Sequence, residues 1–365
     1  MDFDSPLTVR VAIVGSASIA KKNALAILRS ERCTLVAVAS RSLARAQEWC
    51  ASIGLDGVRC VEGYESVLAD GGVDAVYVPL PTTLHRDFVL KAAAAGKHVL
   101  VEKPVGVTAA EVREMVAACR AGGVALLDGT MFVHHARFAQ IDRLFRAPNW
   151  TPLKVSSTFA FRGGDAFLDG GDIRTNGLDP LGCLGDVGWY CIRFGLAAFA
   201  GARPTAAAAR LRKSRNGVPT DMDCDVVFGG ASGACGTDAR MTFHCSFYHP
   251  LCQTVEASSV DGRVVRLDDF VIPRREEVCE YVIEDVPASA LSNYDTVVAS
   301  TKTVVPVLNC CQEAKMWDAL AGLVAQGAHR TPAYEDAMVL AHDVMDALMK
   351  SAANAGALVP IPEDA

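Results

Sequence analysis

The stretch Val9-Arg10-Val11-Ala12-Ile13-Val14-Gly15-Ser16-Ala17-Ser18-Ile19-Ala20 decides the fold. A short apolar run ends in a small-residue turn and opens into a helix that continues through Ala24 to Leu28. A G-x-G-x-x-G/A fingerprint at such a turn rests a pyrophosphate on the N-terminus of the helix. Gly15 and Ala20 fit it; the middle glycine, which lets backbone approach phosphate, is Ala17. Taken alone, the turn is either a dinucleotide site or a cofactor-free turn of the same shape.

The pattern on either side favours the first. Thr34 to Ala39, Val58 to Val61, Ala75 to Val78, Lys97 to Val101 and Val124 to Leu127 are further apolar, β-branched runs. Helical patterns separate them at Leu43 to Ile53, Glu65 to Leu68, His85 to Ala95 and Ala109 to Ala121. Strand runs that do not alternate, spaced by helices, belong to a parallel sheet covered on both faces. An α/β, doubly wound Rossmann domain over residues 1–130 is expected.

Beyond Met131 the texture changes. Alternating runs follow one another at Leu153 to Phe161, Thr205 to Leu211, Cys224 to Phe228, Arg240 to Cys245, Gln253 to Ala257 and Val264 to Leu267, with one helix near Val187 to Phe199. Consecutive strands pair antiparallel. Residues 131–365 therefore read as an α+β domain on an open, mostly antiparallel sheet, closed by helices at Asn309 to Ala325 and Tyr334 to Ala352. An open sheet leaves one face free, and a second copy covering it would make a homodimer or homotetramer.

Composition narrows the class. At 365 residues and 51% hydrophobic the chain can bury two cores, and no run reaches the roughly 20 apolar residues of a membrane helix. Met1 to Thr8 is polar and acidic, unlike a secretory signal, so a cytoplasmic setting and no membrane are expected. A net charge of −7 argues against a nucleic-acid partner. The 13 cysteines are scattered, without C-x-x-C or zinc spacing, and Cys310 and Cys311 are adjacent; they read as small apolar residues, and no metal is expected.

The second strand ends in Ala39-Ser40-Arg41-Ser42, with no acid where an NAD-selective site accepts hydrogen bonds from the ribose diol. Ser40 and Arg41 suit a 2′-phosphate instead, so NADP is expected, with NAD the alternative and a solvated Arg41 the bland reading. The fourth strand runs into Pro79-Leu80-Pro81-Thr82-Thr83-Leu84-His85, and the fifth ends in Glu102-Lys103-Pro104. Ligands of open α/β sheets bind beyond these carboxyl ends. Gly15, Ser16, Ala17, Ser18, Ile19, Pro79, Leu80, Pro81, Thr82, His85, Glu102 and Lys103 are accordingly candidate cofactor residues.

Glu102-Lys103-Pro104 after the fifth strand, with Gly185-Asp186-Val187-Gly188-Trp189-Tyr190 later, resembles the Gfo/Idh/MocA oxidoreductase family along essentially the whole chain. Asp172-Ile173-Arg174 and Asp269-Phe270-Val271-Ile272-Pro273 resemble its branch of dimeric dihydrodiol dehydrogenases and NADP-dependent D-xylose dehydrogenases, plant and algal members above all, although Met131-Phe132 stands where that branch commonly has Met-Trp. Asp186 and Tyr190 are i and i+4, on one helix face. The resemblance implies that Lys103, Asp186 and Tyr190 act on one substrate hydroxyl, with Tyr190 as acid/base while hydride moves to or from nicotinamide C4. A free phenol has a pKa of about 10, and the Lys103 ammonium would lower it.

The implied substrate is a sugar, polyol or cyclic diol. Arg174 either binds its hydroxyls or serves a structural ion pair, and His85 and His134 are each either ligand contacts or packed histidines. Two other readings of the chain stay open: a redox-neutral enzyme with tightly held NAD, and a non-catalytic NADP-binding sensor.

Overall fold

The computed structural model describes residues 8–229, 238–275, 278–285, 299–306, 311–327 and 332–363. Met1 to Leu7, Asn309 and Cys310 lie outside them. The chain divides into two compact units, Met1–His134 with Cys311–Val339, and His135–Cys310 with Leu340–Ala365. The first therefore takes in a late segment that a single boundary near residue 130 leaves with the second.

In the first unit, β1 (Val9–Val14), β2 (Cys33–Ser40), β3 (Arg59–Glu62), β4 (Ala75–Val78), β5 (His98–Val101) and β6 (Leu126–Asp128) form one sheet in the order β3-β2-β1-β4-β5-β6. All its pairings are parallel. Every residue of β4 is buried, as expected where helices cover both faces. The crossovers are α1 (Ser18–Ile27), α2 (Leu43–Ile53), α3 (His85–Ala94) and α4 (Ala109–Gly122), with a 3₁₀ turn at Tyr64–Val67. Caps set their ends. The Ser42 hydroxyl accepts from Arg45 N at 3.3 Å, and the Thr108 hydroxyl accepts from Glu111 N at 3.3 Å. Gly54 and Gly123 close α2 and α4 in the left-handed region.

The second unit begins with α5 (Ala136–Phe145), an amphipathic helix missed in the sequence, and β7 (Pro152–Arg162). A π turn at Leu184–Gly188 runs into α6 (Trp189–Ala198). Then come β8 (Ala206–Arg215), β9 (Val218–Phe228), β10 (Ala239–Ser246), β11 (Tyr248–Ser259), β12 (Arg263–Leu267), β13 (Val278–Asp285) and β14 (Ala299–Pro306). Two helices, α7 (Gln312–Ala325) and α8 (Pro332–Ala353), precede the short β15 (Val359–Pro360). The nine-stranded sheet has the order β14-β13-β12-β11-β7-β10-β9-β8-β15, and β7 with β10 is its one parallel pairing among the described residues.

The strands β13 and β14 escape a pattern reading because charges interrupt the first, at Glu280 and Glu284. The early start of β9 follows from Asn216-Gly217, both at positive φ (51° and 77°), a two-residue hairpin turn. One face of this sheet receives α6. A Cβ on Gly195 would lie 1.9 Å from Met241 Sδ of β10, so the bare backbone permits that approach. The other face carries polar side chains tied as Arg240–Asp225 (2.6 Å) and Arg266–Glu256 (2.6 Å).

Candidate active site

In the first unit, the reversal of strand order falls between β1 and β4, where open α/β sheets bind ligands. Gly15 ends β1 at φ 106°, donating to Ala39 O at 2.8 Å. A Cβ there would meet Leu80 Cδ2 at 3.5 Å, so the positive φ rather than space makes glycine the fitting residue. Ala17 is the N-cap of α1 in extended conformation and lends the helix no side-chain cap. Ser16 and Ala17 are half-buried, and Ser18 and Ile19 exposed. This turn thus presents amide donors, with no acid in the first turn of α1 to repel a phosphate.

At the end of β2, Ser40 is buried and its carbonyl accepts from Gly63 N (2.8 Å), while Arg41 is exposed. A second arginine stands close by. Arg45, on the first turn of α2, donates through Nε to the Ser16 hydroxyl at 3.1 Å. Sequence reading passed over it; its signal was the spacing of four from Arg41 at the start of the second helix. Two exposed guanidiniums beside an open helix N-terminus fit a dinucleotide bearing an additional phosphate.

The segment Pro79 to Leu84 is fastened by His85. This histidine is 1% exposed, with Nε2 2.7 Å from Leu80 O and Nδ1 3.1 and 3.2 Å from the carbonyl oxygens of Pro104 and Val105. Carbonyls only accept, so a neutral ring donates to one of these turns and an imidazolium to both, and in either state the ring packs the β4 turn against the segment after Lys103. Thr82 is buried at the start of a 3₁₀ turn, Pro79 is buried, and Leu80 and Pro81 are half-buried.

The Lys103–Pro104 bond is cis, and Lys103 is half-buried. Glu102 beside it is 8% exposed and belongs to a buried chain: Trp317 donates to Asn23 Oδ1 (3.0 Å), Asn23 to the Tyr77 hydroxyl (2.7 Å), and Tyr77 to Glu102 Oε1 (2.5 Å). The other Glu102 oxygen accepts from Lys103 N at 3.2 Å. Burial pushes this carboxyl above its ordinary range, against the Tyr77 hydrogen bond and the Lys103 charge. Glu102 thus steadies the turn that carries Lys103. His134 stacks on Tyr334, with centroids 5.8 Å apart, and Phe132 is buried.

In the second unit, Asp186 lies within the π turn and Tyr190 on the first turn of α6. Four residues advance about 400° at the α-helical 3.6 residues per turn, so the pair keeps to one side of the axis. The turn of wider pitch that precedes α6 is a feature frequent at functional sites. Tyr190 is 7% exposed, its ring 5.5 Å from that of Phe159, whereas Trp189 is fully buried against His342.

Arg174 organises the approach to this helix. It donates to both oxygens of Asp172 (2.8 and 3.0 Å) and to Asp186 Oδ2 (3.1 Å), with its guanidinium 5.0 Å from the Phe167 ring centre. Burial disfavours its charge, yet the two carboxylates raise its pKa well above the ordinary value. Burial also pushes Asp172 up, but Arg174 outweighs it and holds the group below the usual carboxylate range. A depressed carboxylate keeps its tie above its ordinary titration range and loses it as pH falls through the lowered value. The Arg174 tie to Asp172 is therefore intact throughout the neutral range. Asp269 serves a packing role, accepting from Arg137 Nη1 at 2.5 Å.

The dTDP-3,4-didehydro-2,6-dideoxy-alpha-D-glucose 3-reductase of Actinomadura kijaniata is 35% identical over 70% of this chain and 74% of the relative. The D-xylose 1-dehydrogenase (NADP(+)) 2 of Haloferax volcanii is 31% identical over 69% of this chain and 74% of its own. The likeness to plant and algal members is not carried by these two. A crystal structure of a 3-ketoreductase from Actinomadura kijaniata, in complex with NADP and TDP-benzene, superposes with a TM-score of 0.77 at 26% identity, covering 94% of this chain and 98% of the other. No helix among the described residues is long and apolar enough to cross a membrane. Residues 9–130 match the GFO_IDH_MocA oxidoreductase family with an NAD-binding Rossmann fold, and with these relatives the chain belongs to that family.

Proposed function

We propose that the chain is an NADP(H)-dependent dehydrogenase or reductase acting on a carbinol or carbonyl carbon of a sugar, polyol or cyclic diol. The observation that carries this reading is the cluster of Asp172, Arg174 and Asp186 one turn before Tyr190. A half-exposed guanidinium between two carboxylates offers donors and acceptors to neighbouring hydroxyls, beside a phenol able to exchange a proton. The relatives act on a keto-sugar nucleotide and on D-xylose by name, which supports the same substrate class here.

When bound, the nicotinamide supplies or accepts the hydride. In reduction, the Tyr190 hydroxyl gives its proton to the carbonyl oxygen; in oxidation, the phenolate takes the carbinol proton. The Lys103 ammonium favours the phenolate and so brings this exchange nearer neutrality. Asp186 orients Lys103 or a substrate hydroxyl, and Arg174 binds hydroxyls. Ser40, Arg41 and Arg45 hold the 2′-phosphate, and the Gly15 to Ile19 turn holds the pyrophosphate. The Rossmann unit's bracing residues, His85 and Glu102, keep the two turns in place. A second copy on the free sheet face completes a homodimer or homotetramer, and the eleven described cysteines, all free, suit a reducing cytoplasm.

The testing experiment follows NADPH absorbance in both directions over aldoses, ketoses, inositols, cyclic diols and a dTDP-linked keto sugar. Turnover with one class and a dissociable, consumed NADPH is expected; a cofactor that co-purifies and is recycled would overturn the reading. Replacing both Arg41 and Arg45 by Ala should weaken NADPH binding by about 10- to 100-fold, the worth of one or two charge-assisted hydrogen bonds, and leave NADH nearly unchanged. Equal losses for both cofactors would remove the 2′-phosphate assignment. Arg174→Met should raise KM about tenfold or more with a smaller change in kcat. A lowered Tm at unchanged KM would instead make Arg174 a purely structural ion pair.

A further inference from the structure

On the open face of the nine-stranded sheet, β9, β10 and β11 bring together Asp221, His244 and His249, one donor atom from each lying within 4.8 Å of the others. Asp221 is the buried member, its side chain 5% exposed. Its Oδ1 makes no hydrogen bond among the described residues, and neither does the buried His244 Nε2 that faces it at 3.5 Å, an ion pair only when the imidazole is protonated. Buried polar atoms are almost always satisfied, so two facing one another without a hydrogen bond mark a place where something else belongs.

The surroundings prepare this pair for a cation. His244 Nδ1 lies 2.8 Å from Asp223 Oδ1, so the neutral tautomer that donates there leaves the Nε2 lone pair toward Asp221 for a cation. A carboxylate behind a histidine in this way is the usual outer partner of a metal-binding imidazole. Arg212 occupies the opposite side of both acids, 2.8 Å from Asp223 Oδ2 and 3.9 Å from Asp221 Oδ2, leaving each Oδ1 for other partners. His249 is exposed in the single chain, its ring 4.9 Å from that of His244 between centroids, on the face that the proposed second copy would cover.

Distance decides which ion. Ligands about 2.0–2.2 Å from a tetrahedral zinc stand roughly 3.3–3.6 Å apart, and the Asp221–His244 separation falls in that range. One carboxylate oxygen and two imidazole nitrogens suit Zn²⁺ better than the oxygen-seeking Ca²⁺ or Mg²⁺. We propose that Asp221, His244 and His249 bind a zinc ion, with water in the fourth position, clamping β9 to β10 and to the start of β11. The sequence carries no zinc-type spacing because the ligands meet through strand pairing, in which Asp223 stands opposite His244 and Asp221 opposite Ser246.

The test is calorimetric titration of the chelator-stripped full chain with ZnCl₂, with the Tm read in parallel. One ion per chain and a Tm that rises with zinc are expected. Asp221→Asn and His249→Ala should each weaken binding at least tenfold, and Asp223→Asn about 10- to 100-fold through the imidazole it orients. His249 is exposed and Asn replaces Asp without a change of shape, so an unaltered zinc-free Tm shows that these variants fold. No zinc binding by the intact chain, or binding that Asp221→Asn leaves unchanged, overturns the site; the second result would mean that surface histidines alone capture the ion.

Discussion

Tyr190→Phe is expected to lower kcat/KM by about 10²- to 10⁴-fold in both directions, the range over which a positioned acid/base contributes. NADPH affinity should be nearly unchanged. The substitution removes one oxygen and keeps the ring against Phe159, so Tm should barely move. A fall in rate at unchanged Tm isolates the proton from the packing, whereas a wild-type rate would show that another group carries the proton. Stopped-flow single turnover with saturating NADPH separates this step from product release.

Lys103→Met makes the complementary prediction. On the proposed role, in which the Lys103 ammonium favours the Tyr190 phenolate, its loss should cut the oxidative rate near neutrality by about 10- to 1000-fold, the roughly one to three pKa units such a charge is worth. With the phenol titrating nearer its free value of about 10, oxidation should recover as pH rises, and the ascending limb of its pH profile should move to higher pH. A structural lysine would lower the rate at every pH alike. Lys103 is half-buried, and its neighbour Glu102 is held by Tyr77 and by the Lys103 backbone N–H, so the turn survives loss of the side chain. An unchanged pH profile would therefore remove Lys103 from the proton exchange.

Some parts of the site were legible because they are local. Gly15 needs a positive φ, which a residue type announces, and the buried β4 run can only be a strand covered on two faces. The four-residue step from Asp186 to Tyr190 implies one side of a helix whether the turn is α or wider. Other parts were not legible because they depend on which strands and turns meet. Arg45 becomes a cofactor candidate only because α2 begins beside the Ser16 turn. His85 remained ambiguous until both ring nitrogens were seen to face carbonyls from two separate turns. Arg174 acquires its charge partners from Asp172, two residues away, and from Asp186, which chain order alone does not bring near.

By itself the sequence determined the two architectures and the strand order's class, because periodicity and residue chemistry act within one turn or one strand. The tertiary structure alone decided that the late segment Cys311–Val339 joins the Rossmann unit, that Glu102 is a buried brace, and that Asp221, His244 and His249 share one corner of a sheet. Those outcomes are set by contacts between residues tens to hundreds of positions apart, and no local pattern encodes them.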